Sequence, residues 1–233
     1  MRATRDRDDD EEILVVDGDR LEKVTEFKYL GSTVTSQNCT EVELQLRIGA
    51  ASRCSRALNR ILKSRSLSKR TEIQVFTAII RPILLYGCET WRMTKEMEHQ
   101  IGVFERSIMR RIFGPVRDEE TGEWRWRHNE DLHLMALAGI PAIGNILRSF
   151  RLRWACHVAR MPAARTPRHV MLDVPQGRRP VGRPKKRWTD NLKEDLTALG
   201  VHHRRWMEAA AEKRDWRGFV RAARDFQGPR PPE

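Results

Sequence analysis

The chain of 233 residues carries 44 Lys and Arg against 32 Asp and Glu, a formal +12 at pH 7, with 39% hydrophobic residues. That content allows one or two domains with a lean core, and the charge makes nucleic acid the first partner to consider and an anionic membrane surface the second. Four cysteines without a CxxC pair, and no apolar run approaching the roughly 18–20 residues of a bilayer span, argue against a disulfide scaffold and a membrane protein, and fit a reduced, intracellular, soluble one.

Residues 1–12 hold six acids and three arginines and lack the apolar core of a secretory signal, which predicts a disordered N-terminus. Residues 13–34 are β-like. Ile-Leu-Val-Val, a turn signal at Asp17-Gly18-Asp19, and a second extended piece ending in Phe27-Lys28-Tyr29-Leu30-Gly31-Ser32-Thr33-Val34 predict a small hairpin or two. Over residues 41–64 the apolar period becomes helical, with Leu44, Ile48, Ala51, Leu58, Ile61 and Leu62 on one arc. Arg53, Arg56, Arg60 and Lys63 recur on roughly the opposite arc. Such a stripe is either a solvated face or a phosphate-binding surface, and few acids share it.

Ser68 is the N-cap of a second predicted helix carrying Ile73, Phe76, Ile80 and Leu84, which Pro82 should kink or end near Arg81. Thr94 is the N-cap of a third, whose Met97, Ile101, Phe104, Ile108 and Ile112 form a core stripe stopped by Gly114-Pro115. Residues 116–129 are polar, with a loop expected at 119–122. Helical pattern returns after Asp131 and again over 145–161, where Leu147, Phe150, Trp154 and Val158 share a face flanked by Arg148 and Arg151. Further on, Trp188, Leu192, Leu196 and Leu199 fit one helix, and Trp206, Ala210, Phe219 and Val220 a last one before a Pro-rich tail at 228–233.

Residues 145–190 carry twelve Arg and Lys against two acids, so +10 of the chain's +12 sits there. Within that stretch Pro180, Gly182 and Pro184 break any helix and predict an extended connector presenting Arg183, Lys185, Lys186 and Arg187 outward. An open basic strand can follow a phosphate backbone or enter a minor groove, or it can be a solvated linker. Trp188, at its end, is either a stacking ring or the first core residue of the next helix.

Metal and catalytic signals are sparse. Cys156-His157 with His169, and His202-His203, match no zinc spacing, and there is no glycine-rich phosphate loop, GxSxG or HExxH. Two acid pairs occur, Glu194-Asp195 on an expected exposed helix face and Asp17 with Asp19 in a turn, and neither has the strand setting that two catalytic metal ions require.

From Phe27-Lys28-Tyr29-Leu30-Gly31-Ser32 onward the sequence resembles the reverse transcriptases of non-LTR (LINE-type) retrotransposons in the region after the polymerase palm. The likeness continues in order through Glu43-Leu44-Gln45-Leu46-Arg47-Ile48, Arg81-Pro82-Ile83-Leu84-Leu85-Tyr86-Gly87-Cys88-Glu89-Thr90-Trp91, Leu152-Arg153-Trp154-Ala155-Cys156-His157-Val158-Ala159-Arg160-Met161 and Gly182-Arg183-Pro184-Lys185-Lys186-Arg187-Trp188-Thr189-Asp190. One departure is Cys156, where the family has Gly before His157.

The resemblance implies a mainly α chain with a palm-remnant β-hairpin at 13–34, a thumb-like helical region at 41–114 and a basic helical region at 131–220 that binds nucleic acid and contains the extended connector. Lys28, Tyr29 and Gly31, in the hairpin that grips the primer end in that family, join Arg53, Arg56, Arg60, Lys63, Arg183, Lys185, Lys186 and Arg187 as expected nucleic-acid contacts. The family's aromatic-Ala-Asp-Asp motif belongs upstream of the matched segment, so this chain is expected to bind RNA or DNA without polymerising alone, and magnesium belongs to the palm rather than to a cofactor site here. Two alternatives are a polymerase C-terminal part working with a palm supplied in trans, and a domesticated DNA-binding module with an AT-hook-like Gly-Arg-Pro core. Val181 stands where the usual hook has Arg. An element protein of this kind is expected in the nucleus.

Overall fold

A computed structural model describes residues 15–16, 19–37, 39–64, 66–129, 139–172, 186–202 and 205–226. The chain is mainly helical, with small antiparallel ladders at its N-terminal end and after residue 115. The strands β1 (Val15–Val16) and β2 (Asp19–Arg20) pair antiparallel, with Val16 opposite Asp19, and the predicted turn residues Asp17 and Gly18 lie outside the described residues. The expected second extended piece is not one strand, because it folds back on itself as β3 (Glu26–Tyr29) and β4 (Ser32–Thr35), with Phe27 opposite Val34. Leu30 and Gly31 make the two-residue turn, at φ 47° and 83°. Positive φ at both positions is the type I′ geometry that matches strand twist, although leucine is an unusual residue to supply it.

This second hairpin is tied down. Thr33 donates its backbone N–H to Glu43 Oε2 at 2.7 Å, Tyr86 donates its hydroxyl to the Leu30 carbonyl at 2.7 Å, and Arg47 donates to the Gly31 carbonyl. Arg47 also pairs with Glu43 at 2.6 Å and lies 4.6 Å from the Tyr86 ring centroid. A two-stranded ladder is marginal by itself in water, and these contacts with the helical body supply what it lacks.

Helix α1 (Thr40–Ala57) has Glu41 and Glu43 in its first turn and Arg56 in its last, as the helix dipole favours. The predicted single helix to residue 64 breaks at Leu58 and resumes as α2 (Asn59–Leu62), and Ile61, expected in the core, is exposed. Helix α3 (Lys69–Val75) starts where Ser68 Oγ accepts from Thr71 N at 3.2 Å.

Pro82 does not end the helix. A π turn at Phe76–Ile80 precedes α4 (Arg81–Leu84), and Arg81 N–H reaches the Phe76 carbonyl five residues back. The wider turn absorbs the missing proline donor, and Thr77 Oγ1 lies 3.0 Å from both the Ile73 and Gln74 carbonyls. Helix α5 (Lys95–Phe113) opens on Thr94, which accepts from Met97 N at 3.2 Å, and closes on Gly114 at φ 69°. Its five predicted core residues are all buried. The polar segment then forms a short hairpin not anticipated, β5 (Val116–Arg117) with β6 (Trp124–Arg125), and the loop expected at 119–122 is its turn.

Helix α6 (Ile143–Ala159) joins two cores. Its first half, with Ile143, Ile146 and Leu147, packs into the cluster of Leu44, Phe76, Ile80, Leu84, Ile101 and Ile108, and its second half, with Leu152, Ala155 and Cys156, into the cluster of Leu192, Leu196 and Trp216. A helix not anticipated, α7 (Thr166–Leu172), follows, and then α8 (Trp188–Ala198). The single last helix expected is two, α9 (Trp206–Ala211) and α10 (Lys213–Arg224), both packed on α6. Trp216 is the largest fully buried side chain; its indole N–H donates to the Leu152 carbonyl at 2.9 Å. Asn191 locks α8 to the first core by bonding both the N–H and C=O of Met93, at 3.0 and 2.9 Å. The helical pattern expected just after Asp131 falls outside the described residues.

Candidate nucleic-acid interface

The fold sorts the basic residues into two sets. One set is consumed inside the protein. Arg81 is buried and pairs with Glu105 at 2.5 Å; Glu105 also accepts from Ile143 N, fixing the start of α6. Arg148 and Arg151, expected to flank an apolar face, converge on Asp195, which the sequence pattern assigns to an exposed face but which is buried. Burial pushes the Asp195 carboxyl up while the two guanidiniums pull it down. The neighbouring Glu194 does stay on the surface, where it holds Lys186 at 2.7 Å.

The other set faces solvent. Arg53 and Arg56 on α1, Arg60 on α2 and Lys63 just beyond are all exposed, and none has an ion-pair partner among the described residues. Past the break at Leu58 the stripe continues to Lys63, which lines a cavity of about 510 Å³. Lys69, Arg110, Arg111, Phe113 and Trp126 line the same cavity, and no acid does. Each of the other cations is positioned by a bond: Lys69 by an ion pair with the buried Glu72 at 2.9 Å and a bond to the Ile112 carbonyl at 2.5 Å, Arg110 by one to the Arg127 carbonyl at 3.0 Å, and Arg111 by one to Ser55 Oγ at 2.7 Å. Cations crowding the C-terminal end of α5 offset the negative pole of that helix.

The expected contacts are therefore not all brought together. Lys28 and Tyr29 are exposed on β3, and Gly31 sits in the turn after it, its carbonyl engaged by Arg47. Lys186 is half-buried, tied to Glu194, and borders a second cavity with Cys39, Glu41 and Arg92, so it is not the outward cation expected of the connector. That cavity is at the start of α1, roughly 20 Å along the helix from Arg56 at 1.5 Å per residue. Arg187 is exposed at the start of α8, where its backbone N–H donates to Asp190 Oδ2 at 2.8 Å. Trp188 is half-buried and donates its indole N–H to the Glu89 carbonyl at 2.8 Å, a packing role rather than a stacking one. Arg183, Lys185 and the rest of the Gly-Arg-Pro segment lie outside the described residues.

Sequence reasoning missed Lys69, Arg110 and Arg111, which distant segments bring beside Lys63, and Trp126, whose signal was the alternation Trp124-Arg125-Trp126-Arg127. Among the described residues no group of three His, Cys, Asp or Glu could hold a metal ion, and no helix is long and apolar enough to cross a membrane. Cys156 is buried in the second core with its thiol 3.6 Å from the Ala210 carbonyl, and His157 points to solvent.

No family model matches the chain, and no solved structure does. It is 28% identical over 206 residues to an uncharacterized transposon-derived protein of Caenorhabditis elegans, a match covering 87% of this chain and 72% of that protein.

Proposed function

We propose that the chain is the post-palm part of a non-LTR retrotransposon reverse transcriptase, thumb-like at 41–114 and basic at 131–220, and that it binds RNA or DNA. The likeness to a transposon-derived protein supports the mobile-element origin. The observation that carries the binding reading is the exposed stripe of Arg53, Arg56, Arg60 and Lys63, which has no ion-pair partner among the described residues and continues into an acid-free, cation-lined cavity. Each phosphate so neutralised releases condensed counterions, so log affinity should fall with log salt by about 0.7 per contact on single strands and 0.9 on duplex. Replacing all four by Ala should flatten that slope by about three and weaken binding to unrelated sequences alike, because phosphate contacts carry no base readout. An unchanged slope measured by fluorescence anisotropy would move binding to another face.

A second reading, a polymerase part working with a palm supplied in trans, is favoured by the apolar side chains left uncovered on the β3–β4 hairpin: Phe27, Tyr29, Leu30 and Val34 are all exposed. Mixing the chain with a palm-bearing fragment and assaying primer extension tests it; no gain over the fragment alone argues against it.

A further inference from the structure

We propose that Trp126, with Trp124 beside it, is a stacking platform for an unpaired nucleotide whose phosphate is held by Lys63, Arg110 and Arg111. This rests on the nucleic-acid reading of the chain and adds what that reading lacks, a site that engages a base. Trp124 and Trp126 are 70% and 71% exposed, an unusual state for the largest apolar side chain. Two residues apart on an extended segment, they belong to one face of it.

The segment that carries them is held from several sides. Asp118 accepts from the backbone N–H groups of Glu120 and Thr121 at 3.0 and 3.1 Å and from Arg125 at 3.1 Å, fixing the β5–β6 turn. Arg127 donates to the Gly114 carbonyl at 3.1 Å, and Arg110 bonds the Arg127 carbonyl and, at 2.6 Å, Asn129. Trp126 is thereby fastened to the end of α5, at the rim of the 510 Å³ cavity, a volume in the range of small-ligand sites. An aromatic ring beside fixed cations suits single-stranded nucleic acid, since every base offers a π-face and every linkage a phosphate. A duplex hides its base faces and would leave the tryptophans unused. Tryptophan and arginine also suit a bilayer interface, but here the cations line a concave site rather than a flat rim, which favours a nucleotide.

The test compares an oligo(dT) with an abasic strand of equal length, binding to the full chain by fluorescence anisotropy. Wild type should bind the base-bearing strand about tenfold more tightly, Trp126→Ala should erase that preference while keeping the salt slope, and Trp126→Phe should retain most of it. Circular dichroism verifies that the exposed substitutions leave the fold intact. Equal binding of both strands by wild type, or an undiminished preference in Trp126→Ala, overturns the stacking site and leaves phosphate binding standing. Failure to bind either strand overturns both. Trp126-dependent capture of phosphatidylserine vesicles without base preference assigns the face to membranes and also overturns the proposal.

Discussion

Replacing Asp195 by alanine should be among the most damaging single changes in the protein, for a reason that lies in its two partners. Asp195 and Arg151 keep only 7% and 4% side-chain exposure, whereas Arg148, 3.0 Å from the other carboxylate oxygen, keeps 23% and also lies 4.7 Å from the Phe226 ring. At 3 Å and an effective dielectric constant of 20, each attraction is worth about 5 kcal/mol, and desolvation of the ions cancels most of it. The intact triad therefore contributes little net stability. Removing the carboxylate, however, strands the Arg151 guanidinium where water cannot reach it, which costs roughly 3–5 kcal/mol. Arg148 can turn to solvent, so Arg148→Ala should cost only about 1 kcal/mol. In urea, with a slope of roughly 2–3 kcal/mol per molar, Asp195→Ala should lower the midpoint by about 1–2 M. The double replacement Arg151→Met with Asp195→Leu, which deletes the buried charges instead of stranding one, should return to within about 1 kcal/mol of wild type. A midpoint shift under 0.3 M for Asp195→Ala, roughly 1 kcal/mol at that slope, or a double variant as unstable as the single one, would refute the reasoning.

Leu30 is exposed at φ 47°, a conformation costly for leucine, so Leu30→Gly should stabilise the protein by about 0.5–1 kcal/mol, read as a rise in melting temperature. Asp118 is held below its ordinary carboxylate range by the Thr121 and Glu120 amides and by Arg125, so its contribution is present above the unfolded value of 3.8 and is lost as pH falls through the lower folded value. Protection of the Thr121 amide, taken relative to its intrinsic exchange rate, should persist as pH falls past 3.8 and be lost only at lower pH, and Asp118→Ala should lack it throughout; protection already lost at or above pH 3.8 contradicts this. Burial pushes the Cys88 thiol up to about 12 and raises that of Cys156, so iodoacetamide at pH 8 should label Cys39 and Cys54 while those two wait for urea. Equal native labelling of Cys88 would show that its pocket opens readily.

What the sequence made legible was local. Ser68 and Thr94 act as caps through bonds to residues three further on, and the stripe from Met97 to Ile112 needs only helical geometry to define a buried face. The type I′ turn at Leu30 was hidden because leucine carries no turn signal, and Asp195 looked exposed because its partners come from 44 and 47 residues away. Of the site, the stripe from Arg53 to Lys63 was legible as a period. Its continuation was not, since Lys69, Arg110 and Trp126 meet Lys63 only after α1, α2 and α5 have packed.

The π turn before Pro82 makes this stretch intolerant of changes in length while leaving it open to changes in residue. Deleting a single position between Phe76 and Arg81 would close the turn to an ordinary α spacing and return the proline ring to a carbonyl it now avoids. The strain would then fall on the segment that carries Leu84 and Leu85 into the core they fill. A substitution such as Thr77→Ser leaves that wide spacing untouched. Gene copies that drift by point mutation keep this relief, and copies that lose one codon in this segment meet the proline clash, at roughly 3 kcal/mol.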